Sequence, residues 1–159
     1  MRKDVNPNIP KWLYPFNRDE ISGKFVMIPY ELYESPIYEK LSHNARDLYI
    51  AINTFRNTDT QRNILFNALT EYNQILCLGM TEQDIKLQAY PQPKHKGDLG
   101  YFVAPEKYFI GHGFSSTRFS DGKRELMEHG FFTAKFGGQG RYNGWNNNVT
   151  VFRFSSSWH

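Results

Sequence analysis

The chain has a single cysteine, no closely spaced histidine pair, no long apolar run and no acidic residue after Glu128. Each absence removes a class of function. One cysteine, Cys77, excludes an intramolecular disulfide and any multi-cysteine zinc site, and its apolar neighbours Leu76 and Leu78 read as the setting of a buried structural thiol rather than a nucleophile. The five histidines, at 43, 95, 112, 129 and 159, form neither His-x-His nor the His-x3-His of a metal-binding helix. The histidine pair of a metal-dependent rolling-circle nuclease is therefore missing. No run approaches the roughly 18 apolar residues of a membrane span, and the N-terminal MRKDVNPNIPKW has no apolar stretch like a secretion signal. The expectation is a cytoplasmic protein with no membrane partner.

Catalytic motifs are equally scarce. No G-x-S-x-G elbow is present, and no histidine-carboxylate arrangement follows Ser115 and Ser116 nearby. Gly138, Gly140 and Gly144 lack the dinucleotide spacing, their loop opens no helix, and no Lys-Ser or Lys-Thr follows. The chain is expected to be neither an enzyme nor a binder of cofactors or metals.

What is present is a chain of 159 residues, 40% hydrophobic and 16% aromatic, enough for one domain with its own core. Residues 1–23, with Pro7, Pro10 and Pro15 among Trp12, Tyr14 and Phe16, show no period and read as an extended arm. Its Arg2, Lys3, Lys11 and Arg18 suit groove or phosphate contacts, or a dimer contact. Residues 24–159 read as a single domain, with a helical part at 24–100. KFVMIP (24–29) suits a strand or an extended lead into the next segment. Ser42 caps a helix bearing Ala45, Leu48, Tyr49, Ile52 and Phe55 at helical spacing. After the turn-like NTDT (57–60), Ile64, Leu65, Leu69, Tyr72 and Leu76 mark a second helix ending at Gly79. TEQDIKLQAY (81–90) suits a short helix, and YPQPKHKGDLG (90–100) an exposed loop.

The last third, 101–159, has a distinctive order. YFVA (101–104) reads as a strand, Pro105 opens a short helix ending at Gly111, and Ser115 caps a longer helix that stops at Gly130. FFTAKF (131–136) and VTVFRFS (149–155) then bracket the loop GGQGRYNGWNNN, as a β-hairpin with a long tip. Strand, helix, turn, helix, strand, loop, strand is the order of a winged helix-turn-helix. The expected fold class is thus α+β, a winged helix-turn-helix with an N-terminal helical extension and a C-terminal hairpin wing.

Charge follows this division. Residues 1–93 carry 10 Lys/Arg against 11 Asp/Glu, whereas residues 94–159 carry 9 against 5. A basic C-terminal third points to a polyanionic partner. On a helical wheel with Phe119 set inward, Gly122 and Leu126 share its side, while Thr117, Asp121, Arg124 and Glu128 face away and Ser120 lies on the flank. Short polar side chains and an arginine near a helix N-terminus can reach base edges, and the N-terminus itself favours phosphate.

On these residues the chain resembles winged-helix proteins of bacterial plasmids, phages and integrative conjugative elements, including the N-terminal domains of replication initiators. The matching features are Ile28-Pro29, Ser35-Pro36, Leu41-Ser42, Gly113-Phe114-Ser115, Phe119, Leu126, Gly130-Phe131-Phe132, and Ser155 to Trp158. They span roughly residues 25–56 and 101–158 and match by order and spacing. The sequence departs at Gly122, where the family carries a larger apolar residue. Glycine there costs roughly 1 kcal/mol of helix propensity relative to alanine, and it suits close packing against a neighbour.

The resemblance implies double-stranded DNA binding in plasmid or mobile-element replication, conjugative transfer or transcriptional control, with a homodimer or other replication and transfer proteins as further partners. Ser115, Ser116, Thr117, Arg118, Ser120, Asp121, Lys123 and Arg124 would lie on the recognition helix, and Lys135, Gln139, Arg141, Asn143 and Trp145 on the wing. Arg118 and Arg124 are the expected guanine readers. The alternative is a winged helix used for protein contacts within a phage or conjugation assembly, favoured by the acidic Asp121 and Glu128 on the outer face.

Overall fold

Short hydroxyl side chains start most of the helices, each accepting a backbone N–H three residues on. A computed structural model describes residues 28–91, 99–137 and 149–155. Among them run α1 (Tyr30–Tyr33), α2 (Pro36–Lys40), α3 (His43–Arg56), α4 (Asp59–Leu76), α5 (Glu82–Ala89), β1 (Tyr101–Val103), α6 (Glu106–Ile110), α7 (Ser116–Glu128), β2 (Phe132–Phe136) and β3 (Val151–Phe154). Ser35, Ser42, Thr58, Thr81 and Ser115 cap α2, α3, α4, α5 and α7 in turn. Each such cap is worth about 1 kcal/mol. At α5 the arrangement is reciprocal, since the Asp84 carboxylate accepts from the Thr81 N–H.

The architecture is α+β. The three strands form an antiparallel sheet in the order β1-β3-β2, with Phe102 opposite Phe152 and Thr133 opposite Arg153. Helices cover both faces. On one face Phe102, Phe132 and Phe152 join Leu48, Ile52 and Phe55 of α3, Phe109 of α6, and Phe119 and Leu126 of α7. On the other, Tyr101, Val103, Phe136 and Val151 join Leu65, Leu69 and Tyr72 of α4 with Ile85 and Ala89 of α5. Burying each of these large side chains stabilises the fold by roughly 1.5–3 kcal/mol.

The two cores explain an irregularity in β2. Strict alternation would put Phe132 and Phe136 on the same face of the sheet. Ala134 pairs with Phe152 but Phe136 pairs with the adjacent Val151, so Lys135 is an extra residue. This bulge shifts the parity by one, sends Phe136 into the second core and leaves Lys135 exposed. The outer edge of β1 is also covered. The buried Gln61 of α4 accepts from Val103 N–H through Oε1 (2.9 Å) and donates to the Arg56 carbonyl through Nε2 (3.2 Å).

Most expected elements occur, in the expected order, and Phe114, Phe119, Phe131 and Phe132 are core residues. Three readings need correction. Cys77 is exposed, not buried, because α4 outruns the core at its end, where Ile75 and Leu76 are exposed too. That helix closes on Cys77 in the left-handed region (φ 52°) two residues before the expected stop at Gly79. The helices α1 and α2 lie within 30–40, where no helix is expected from sequence and only the Ser35-Pro36 pair is noted. Leu32 and Tyr38 anchor them in the first core, and Ser35 with Pro36 starts α2. The arm 1–23, residues 24–27 of KFVMIP, most of the loop after Tyr90, and Trp158 lie outside the described residues.

Candidate nucleic-acid interface

Helix α7 is placed by its inner face. Phe119, Gly122 and Leu126 are buried, and at Gly122 the helix comes so close to α3 that an added Cβ would lie 2.9 Å from Leu48 Cδ2 and 3.3 Å from Asn44 Nδ2. Glycine is thus required by packing, which explains the departure noted in the sequence.

Polar contacts flank this close approach. Glu125 Oε2 accepts from both the backbone N–H and the hydroxyl of Ser42, at 2.9 Å each, and so serves the N-terminus of α3 from a neighbouring helix. Asn44 Nδ2 donates to the Arg118 carbonyl (2.8 Å), and Arg118 Nε donates back to Asn44 Oδ1 (3.0 Å). Arg118 Nη1 donates to the Gly113 carbonyl (3.0 Å), Nη2 lies 3.6 Å from Asp47 Oδ2, and the guanidinium sits over the Phe114 ring. Arg118, expected to read guanine, is instead engaged in holding α7 and its leading turn on α3. The partners at α3, Ser42, Asn44 and Asp47, lie 71 to 83 residues away in the chain, so no local pattern signals them.

The outer face carries Ser116, Thr117, Ser120, Asp121, Arg124 and Glu128, all exposed. The Ser115 side chain accepts from Arg118 N–H as the helix cap, and the Ser116 hydroxyl donates to Glu106 of α6. Arg124 projects outward and pairs with Asp121 at 2.5 Å, its side chain 67% exposed. Exposed pairs of this kind are worth about 0–1 kcal/mol, so a base edge or phosphate can replace the aspartate. Lys123 does not share this face fully. It is half-buried, its ammonium 5.3 Å from the Phe119 ring centroid and 5.9 Å from that of Phe152, so its stem covers the core.

The hairpin contributes Lys135, exposed at the bulge of β2. Gln139, Arg141, Asn143 and Trp145 lie outside the described residues. The structure therefore brings Thr117, Ser120, Asp121 and Arg124 onto one exposed face and assigns Arg118, Ser115 and part of Lys123 to internal contacts. Among the described residues no group of three or more His, Cys, Asp or Glu is placed to hold a metal ion, and no helix is long and apolar enough to cross a membrane. No family model, no curated protein and no solved structure matches the chain.

Proposed function

We propose that this protein binds double-stranded DNA as a winged helix-turn-helix, with α6 and α7 as the helix pair and the β2–β3 hairpin as the wing. One observation carries the reading. Helix α7 is locked to α3 by Gly122, Arg118 and Glu125, yet on its opposite face Thr117, Ser120 and the outward Arg124 are exposed, with no other described element packed on them. A rigidly held helix with a free polar face suits insertion into the major groove. The order β1, α6, α7, β2, β3 and the sheet order β1-β3-β2 support it, as does the absence of acidic residues after Glu128. In this reading Arg124 reads a base, Thr117 and Ser120 support it, and Lys135 contacts phosphate. The biological setting proposed is replication, transfer or regulation of a mobile element, and the protein acts without catalysis.

Asp121 and Glu128 on the same face favour a second reading, a surface for protein contacts. Fluorescence anisotropy with duplexes drawn from the DNA flanking the gene, against scrambled duplexes over a salt series, separates the two. DNA binding predicts sequence-preferring affinity that falls steeply with salt, and Lys135→Ala lowers the slope by about one phosphate contact. Absence of binding even at low salt rejects the reading in favour of protein contacts.

A further inference from the structure

Nothing in the proposed DNA contact uses α4 and α5, yet this layer grips the base of the hairpin from the face of the sheet opposite α7. Tyr72 of α4 is only 2% exposed, and its ring stacks on Phe136, the last residue of β2, at 5.5 Å and 27°. Its hydroxyl donates to the Val149 carbonyl at 2.9 Å, just before β3 begins. On the β2 side, a Cβ at Gly137 would lie 2.6 Å from the same hydroxyl. Gly137 has φ +81°, so glycine is required there by backbone conformation and by space alike. One phenol thus meets both ends of the segment that joins β2 to β3. The layer that carries it is tied to the sheet by Gln61 on Val103 N–H and by Gln88, whose Oε1 accepts from Leu99 N–H at 3.0 Å.

We propose that α4 is a positioning element for the hairpin. Tyr72 fixes Phe136 of β2 and Val149 at the base of the hairpin, and so sets how Lys135, next to Phe136 in β2, is presented to DNA. The DNA half of this proposal rests on the proposed DNA-binding role; the clamp itself does not. Hydrophobic burial alone would have been served by phenylalanine at 72. The hydroxyl adds a directional contact to a backbone carbonyl 77 residues away, which fixes position where packing only fixes proximity.

The test is Tyr72→Phe, which keeps the ring and removes the hydroxyl. In the free protein, amide hydrogen exchange at Gly137, Val149 and Thr150 is expected to quicken roughly five- to tenfold, the loss of one net hydrogen bond, with exchange in α3 and α7 unchanged. Gly137→Ala is expected to lower the melting temperature, and adding Tyr72→Phe to recover part of that loss, because the atom nearest the new methyl has gone. Uniform exchange across the chain together with additive melting shifts would overturn the clamp. For the DNA half, Tyr72→Phe is expected to lower the slope of log affinity against log salt by about one while leaving base preference intact. A duplex that the wild-type protein binds with a slope unchanged by the variant overturns the DNA half alone. A wild-type protein that binds no duplex overturns that half together with the function it rests on, and the clamp is then decided by exchange and melting.

Discussion

Gly122→Ala sets two effects of known sign against each other. Alanine in the middle of α7 improves helix propensity by about 1 kcal/mol. The new methyl, however, would sit 2.9 Å from Leu48 Cδ2 and 3.3 Å from both Leu48 Cβ and Asn44 Nδ2. Leu48 is fully buried and Asn44 is held by two hydrogen bonds to Arg118, so neither can yield freely. Overpacking of this kind costs typically 1–3 kcal/mol. The expected net result is destabilisation by roughly 1 kcal/mol, or a fall of about 2–4 °C in melting temperature for a chain of this size. Calorimetry on the single variant, on Leu48→Ala and on the double variant supplies the check. Leu48→Ala alone opens a cavity costing about 2–5 kcal/mol, but in that background the methyl at 122 has room and is expected to stabilise. A Gly122→Ala variant more stable than the parent, with additive effects in the double variant, would refute the close approach of α7 to α3 and with it the rigidity on which the DNA reading depends.

The two arginines of α7 are expected to part company. Arg118→Ala should lower stability by roughly 1 kcal/mol, discounted for its partial exposure, measured by urea unfolding, while Arg124→Ala should leave stability unchanged and reduce discrimination at one base position by about 1–3 kcal/mol, measured by competition binding. Gln61→Leu leaves the buried Val103 N–H without its acceptor and should cost about 1–3 kcal/mol in the same unfolding assay. Asp84 is held below the usual carboxylate value of 3.8, first by the Thr81 backbone N–H and then by the Thr81 side chain. A lowered folded-state value means stability present above 3.8 and lost as pH falls through the folded value. Hydrogen exchange in α5 should therefore quicken as pH drops below that range after correction for intrinsic rates, and Asp84→Asn should remove the dependence.

The long helices were legible because hydroxyl caps and apolar spacing agree locally: Ser42 with Ala45, Leu48 and Ile52, and Ser115 with Phe119 and Leu126. The hairpin was legible from its two apolar runs. What escaped was whatever depends on distant partners. Helices α1 and α2, of 4 and 5 residues, are too short to show a period and are held by tertiary burial of Leu32 and Tyr38. The pairing of Phe132 and Phe136 with different cores depends on a bulge at Lys135 that FFTAKF does not advertise. Arg118 and Arg124 are both expected from sequence to read guanine, and it is the partners of Arg118, Asn44 and Asp47 on another helix with Gly113 and Phe114 in the leading turn, that set it apart. The residues of α4 and α5 signal helices, but their task against the sheet appears only when Gln61, Tyr72 and Gln88 meet their acceptors and donors.

The most direct test of the central claim, that the outer face of α7 and the hairpin form the DNA surface, is a residue-by-residue NMR titration of the protein with a duplex. The account predicts shifts concentrated at Thr117, Ser120, Asp121, Arg124 and Lys135, with the exposed surface of α4 and α5 unaffected. Shifts confined to the α4 and α5 surface, or none under conditions of low salt, would contradict it.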